Sequence, residues 1–357
     1  MAGMKAFGFL SFGHYALGNQ PGPDARQVLK DGLAIAQAAD EIGVNNASFR
    51  VHHFAPQGAA PMPLLGAIAG STKKIEVGTG VIDLRYENPL YLAEELAALD
   101  LLSDGRLAIG VSRGSPEPAE RGWESFGYRA DAPNGSDMAR AKFEQLLDAV
   151  DGHGVAKAAS AEQQYPRMYH EGTPLPVFPH SPELRKNIFY GAGSNASAIQ
   201  SAQDGVNLMS STLVSEADGR TLGEIQAEQI QLYRDTWKEA GHDWTPRVSI
   251  SRSIFPILTD RDRQLFATSA TSSDQIGSLG ENRNVTFGRS YAAEPDVLIE
   301  QLKDDPAIAA ADTLLLTIPN QMGVDLNVSI LRNFAERVAP ALGWVPNTDG
   351  RVAGYEI

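Results

Sequence analysis

Short apolar runs alternate with longer amphipathic stretches along most of the chain. Residues 4–10 are mostly apolar and predict a buried strand. Over 24–42, Val28, Leu29, Leu33, Ile35, Ala36, Ala39 and Ile42 recur at helical spacing, and Gly43 stands where a left-handed turn would end that helix. The same reading predicts further strands over 44–51, 74–84, 106–112, 187–190, 206–210, 247–258 and 313–318. Helices are predicted over 63–70, 89–102, 136–150, 195–204, 222–240, 295–302 and 326–339. Asn88 and Pro89 have the residue types preferred at an N-cap and the first helical position. Three stretches break the rhythm. Residues 113–136 are rich in Gly, Pro and charge, 152–186 carry five prolines, and 259–292 are polar and expected to be mobile.

Strands that alternate with helices argue for a parallel sheet. About eight such units predict an α/β protein, a single (β/α)8 TIM barrel with insertions after several strands. A barrel of this kind averages roughly 250 residues. This chain has 357, and the three irregular stretches absorb the excess, so 1–357 is expected to form one domain. The chemistry of such barrels sits on the loops after the carboxyl ends of the strands.

Composition narrows the function classes. Thirty Lys and Arg against 44 Asp and Glu give a formal charge of −14, a poor match to nucleic acid or an anionic membrane. The absence of cysteine removes disulfides, thiolate metal sites and a cysteine nucleophile, and no metal site is expected. The N-terminal apolar stretch is too short for a signal peptide, and no apolar run approaches the ~20 residues of a membrane span. A cytoplasmic location is the expectation. Met4 reads as a second candidate start, which would make residues 1–3 an extension.

Four strand ends carry candidate chemistry. At Val51-His52-His53-Phe54, neighbouring residues of an extended segment point to opposite sides. One histidine is therefore expected to face the barrel mouth as an acid, base or donor, and the other to pack. The competing reading of each is a structural histidine. In Val77-Gly78-Thr79-Gly80-Val81, glycine inside a strand signals either a flat ligand against the backbone or a bulge needed for closure. Arg113 follows a predicted strand and suits an anion such as phosphate, or else a surface ion pair. Finally, Gly191-Ala192-Gly193-Ser194-Asn195-Ala196-Ser197 lies between a strand and a helix, where free N–H groups and the helix dipole favour phosphate. No H-E-x-x-H, G-x-S-x-G or Walker A sequence occurs.

Taken together, IEVGTGVI at 75–82, NPLYLAEE at 88–95 and SDGRLAIGVSRG at 103–114 resemble the bacterial luciferase-like family of flavin-dependent monooxygenases. His52-His53-Phe54 and Phe126-Gly127 fit the same pattern. The resemblance implies a barrel that binds FMN at its mouth. It implies a non-proline cis peptide or bulge at Gly80-Val81 behind the flavin ring. It places Arg113 and Arg140 near the flavin or its phosphate, Gly193, Ser194 and Ser197 at the phosphate, and Phe9 on the barrel floor. His52 matches the catalytic histidine. Three positions depart from bacterial luciferase: Val51 replaces a Glu, Ser112 a reactive Cys and Gly193 a Glu. Light emission from an aldehyde is therefore not expected.

The favoured reading is a two-component FMN-dependent monooxygenase. It would use reduced flavin from a separate reductase, dioxygen and a small organic substrate, and act as a homodimer with no nucleic-acid or membrane partner. The 259–292 segment would act as a lid. The alternatives are a deazaflavin-dependent hydride-transfer enzyme and a non-catalytic flavin-binding protein on the same barrel.

Overall fold

The structure, a computed structural model, describes residues 4–115, 117–215, 218–278, 284–348 and 350. Residues 1–3, read above as an extension, lie outside the described residues. Eight parallel strands form the centre. They are β1 (Ala6–Ser11), β2 (Asn46–Phe49), β3 (Glu76–Asp83), β4 (Leu107–Ser112), β5 (Ile188–Ala192), β6 (Asn207–Ser210), β7 (Val248–Pro256) and β8 (Thr313–Ile318). Each pairs with the next in chain order, β6 pairs with β7, and β8 returns to β1. The sheet closes into a (β/α)8 barrel. Outside it run α1 (Ala25–Ile42), α2 (Pro61–Ser71), α3 (Pro89–Leu102), α4 (Ser136–Val150), α5 (Asn195–Gln203), α6 (Leu222–Ala240), α7 (Pro295–Lys303) and α8 (Val324–Arg337).

Local chemistry sets the helix ends. Asp24 accepts a hydrogen bond from the Gln27 N–H at the start of α1, and Gly43 ends that helix at φ 90°, a conformation open to glycine at little cost. The Asn88 side chain accepts from the Leu90 and Tyr91 N–H groups ahead of α3.

Side chains fill the barrel in layers. At the amino ends of the strands, Arg247 Nη1 donates to Glu76 Oε1 at 2.7 Å, and the Arg247 guanidinium stands 5.0 Å from the Phe189 ring centroid. Above this pair lies an apolar layer of Leu10, Ala108, Phe189, Met209 and Leu315. Glycine is needed where strand backbones approach closely: a Cβ on Gly78 would stand 2.1 Å from the Ala108 carbonyl oxygen. The outward strand faces pack against the helices through Phe7, Phe9, Phe49, Val77, Ile109 and Leu316.

The irregular stretches gather around the barrel. The stretch expected to be a polar mobile loop, 259–292, contains a helix at Asp260–Phe266 and strands at Gln275–Ser278, Asn284–Phe287 and Ser290–Ala293. Asn284–Phe287 pairs with Gln275–Ser278 and with Leu213–Val214 beyond β6, and Ser290–Ala293 pairs in parallel with the carboxyl end of β7. Residues 279–283 of that stretch lie outside the described residues. Beside β3, burial and then the nearby Glu95 push the Glu87 carboxyl up to about 7, against the pull of Lys142.

Two outcomes follow from this packing. Glu76→Ala strands a buried guanidinium, and chemical denaturation should show a loss of about 3–5 kcal/mol; a change below about 1 kcal/mol contradicts the role given to the pair. Glu87 keeps its proton in the fold at pH values where the unfolded side chain has lost it. The fold then binds the extra proton, so stability falls as pH rises from 4.5 to about 7. Glu87→Gln should therefore gain in Tm over the parent progressively across that window in calorimetry, whereas a constant offset contradicts the assignment.

Candidate active site

A cavity of about 400 Å³ opens at the carboxyl ends of the strands, within the usual size of a small-molecule site. Its floor is the apolar layer, represented by Leu10, Met209 and Leu315. Its wall on the β3 side is backbone. The Gly80-Val81 peptide is cis, and the pairing of β3 with β4 shifts register between Thr79 and Ile82. A Cβ on Gly80 would stand 2.9 Å from Leu10 Cδ1, and one on Gly191 would stand 2.9 Å from Val81 Cγ1. The glycines thus let the irregular segment and the Val81 side chain fit between β1 and β5. Gly80 and Val81 both line the cavity.

The next wall, two strands further round, is built by the β5–α5 junction, where Gly193, Ser194 and Ser197 line the cavity. Ser194 and Ser197 form a reciprocal cap: Ser194 Oγ accepts from the Ser197 N–H at 3.3 Å, and Ser197 Oγ accepts from the Ser194 N–H at 3.2 Å. The hydroxyls hold the helix start in shape and edge the cavity. The positive end of the helix dipole faces the same space. Arg113, just beyond β4, lines it too, as do the Ser211 and Thr212 side of the β6 loop. Arg113, a helix amino terminus and several hydroxyl donors therefore share one side of the cavity, a donor set that fits a phosphate. A backbone wall facing an apolar floor fits a flat ring.

The two histidines point to opposite sides, as the spacing predicted, but neither lines the cavity. His53 is buried, its ring stacked on Tyr86 at 4.1 Å between centroids, and burial lowers its pKa. His52 turns the other way, with Nε2 3.0 Å from Glu117 Oε2. Glu117 lines the cavity with a nearly buried side chain, so it connects His52 to that space. Ser112 also lines the cavity and accepts from the Gly114 N–H at 2.8 Å.

Besides His52, two expected positions lie outside the lining. Phe9 points away from the lumen into the strand–helix layer, edge-on to Phe49 at 5.7 Å. Alternation along β1 gives the lumen position to Leu10. Arg140 does not line the cavity. Its guanidinium is held by Asp204, at the far end of α5, and by Glu144, one turn along α4. These two carboxylates raise its pKa and fix it beyond the reach of the helix start. The sequence reading also missed Arg50 and Glu117, both in the lining. Arg50 had a usable signal, an arginine at the carboxyl end of a predicted strand in an acidic chain. Glu117 had none among 44 acids.

With the geometry established, comparison with known proteins gives its context. The alkanal monooxygenase alpha chain of the Kryptophanaron alfredi symbiont is 25% identical over 239 residues, covering 66% of this chain and 61% of that one. The oxygenase component of a flavin-dependent trigonelline monooxygenase from Acinetobacter baylyi is 25% identical over 249 residues, covering 68% and 63%. The chain thus spans about three-fifths of the length of these curated relatives. Among solved structures, the oxygenating constituent of 3,6-diketocamphane monooxygenase from Pseudomonas putida, in complex with FMN, superposes with a TM-score of 0.65 at 18% identity. That match covers 95% of this chain and 99% of the other, and at such identity it is a likeness of fold. The family model for luciferase-like monooxygenase matches residues 4–323, and the chain belongs to that family.

Proposed function

We propose that this chain is a flavin-dependent monooxygenase that uses reduced FMN and dioxygen to oxidise a small organic substrate. The observation that carries the reading is a single cavity with a backbone wall at Gly80-Val81 and, in the same space, Arg113 beside the capped start of α5. Gly80 and Val81 would support the ring, with Leu10 beneath it. Arg113, Gly193, Ser194 and Ser197 would hold the phosphate. Reduced FMN, when bound, supplies the electrons that activate dioxygen. The chain's own task is to hold the ring, exclude water and manage protons. His52 would hold or pass a proton at Nε2, with Glu117 fixing its ring. The strand Asn284–Phe287 places Val285 in the cavity lining, which supports a lid role for its segment.

Membership of the family and the "oxygenase component" relative support a separate flavin reductase as partner. We assign the whole chain to one domain, acting as a cytoplasmic homodimer. Exposed Tyr91 and Leu102 on α3 favour a partner surface on that helix. Among the described residues no helix is long and apolar enough to cross a membrane.

Titration of the purified protein with FMN and with a deazaflavin coenzyme tests the cofactor. Saturable FMN binding is expected; preference for the deazaflavin would move the chain to hydride transfer, and binding of neither would refute the flavin reading. Arg113→Ala should weaken FMN by about tenfold or more, the worth of a charged hydrogen bond; unchanged affinity removes Arg113 from the phosphate site. His52→Ala should leave FMN affinity intact and change the stopped-flow rate of reoxidation of bound reduced flavin by dioxygen by about tenfold or more. Glu117→Gln should move that rate in the same direction by less. An unaltered rate in His52→Ala would return His52 to a structural role.

A further inference from the structure

The charged side chains of the cavity are unevenly satisfied. Buried arginines elsewhere in the barrel each have a carboxylate partner or several backbone acceptors. Arg85 pairs with Asp83, Arg247 with Glu76 and Arg252 with Asp305, and Arg106 donates to Thr72 and to the carbonyls of Ala69, Thr72 and Ile75. Arg50 differs. It follows β2 directly and lines the cavity. Its guanidinium lies 5.0 Å from the Phe12 ring centroid, and Nη2 donates to Ser115 Oγ at 3.2 Å. Among the described residues this is its one side-chain hydrogen bond, and no carboxylate lies within ion-pair reach of it.

The acid whose field reaches Arg50 is Glu117, but that carboxylate is turned to His52. Burial lowers the Arg50 pKa by more than Glu117 restores it. His14 offers no compensation: its ring stacks on Phe12, and burial, then Arg50 and His52, disfavour its charged form. A half-buried guanidinium with most of its fork unused is costly unless a ligand anion completes it.

Strand order separates this cation from the proposed phosphate site. The Gly80-Val81 segment on β3 lies between Arg50, after β2, and Arg113, after β4, with the α5 start further round. A flavin held as proposed would put its phosphate on the β4–β5 side and leave Arg50 facing the space beside the ring. We infer that Arg50 is a substrate-binding residue and that the substrate carries a carboxylate, received by the open guanidinium fork above Phe12. This rests on the flavin reading of the same cavity, since it needs the phosphate to be held elsewhere.

Benzoate and benzamide, alike in shape and different in charge, are the probes. Calorimetric titration of each into the FMN-loaded protein should show benzoate bound at least about tenfold more tightly. Arg50→Ala should bring benzoate down to the benzamide level and leave FMN affinity within about twofold. Arg50→Lys, which keeps the charge without the fork, should fall between. Equal binding of the two probes, no binding of benzoate by the parent, or undiminished benzoate binding in Arg50→Ala overturns the inference. So does an Arg50→Ala variant that loses FMN instead, because Arg50 would then serve the flavin. A parent that takes up no FMN refutes the flavin reading first; the same pair titrated into the unloaded protein then still reports whether Arg50 selects an acid.

Discussion

Pairing of β6 with β7 turns an open sheet into a ring, and everything at the mouth depends on that closure. It brings strand ends about two hundred residues apart in sequence to one cavity, from Arg50 after β2 to Ser251 on β7. Closure forces side chains into a narrow lumen, where size and charge must be matched layer by layer. The Glu76–Arg247 pair fills the amino end, the Leu10–Met209–Leu315 layer seals the middle, and the glycines of β3 and β5 leave the carboxyl end open. The site is the part of the barrel that the chain declines to fill.

Charge is distributed with the same logic. The chain is acidic overall, yet the cavity gathers Arg50 and Arg113, with His52 one contact away. Of the two acids among its described lining residues, Asp83 is neutralised by Arg85, and Glu117 is committed to His52. In a low-dielectric mouth these few cations matter more than the −14 of the surface, which is screened by salt. The proposed phosphate site and the inferred substrate anchor are two uses of one local excess of positive charge. They lie on either side of a backbone segment suited to a flat ring.

Much of this was legible in the sequence, for physical reasons. The strands and helices appear within two residues of their predicted ends, because a parallel barrel repeats one strong pattern of short apolar run and long amphipathic helix. The glycine segment on β3 and the strand–Gly–helix junction at 191–197 stood out because backbone constraint is written in residue type. Side-chain direction was less legible. Residues 6–11 are buried on both faces, so no alternation marks Leu10 rather than Phe9 as the lumen residue. Arg140 looked like a phosphate ligand until the fold supplied Asp204 from another element. Glu117 was invisible because its meaning comes from His52, across an insertion with no periodic pattern. The order within 259–292 escaped for a similar reason: its short strands find partners at Leu213–Val214, far away in sequence.

The central claim is that one cavity holds FMN, with its ring against Gly80-Val81 and its phosphate between Arg113 and the start of α5. A crystal structure of the protein grown with FMN tests it most directly. Density is expected for the phosphate within hydrogen-bond distance of Arg113, Ser194 or Ser197, and for the ring over the Gly80-Val81 backbone. A flavin bound outside this cavity, or reversed with its phosphate at Arg50, would contradict it.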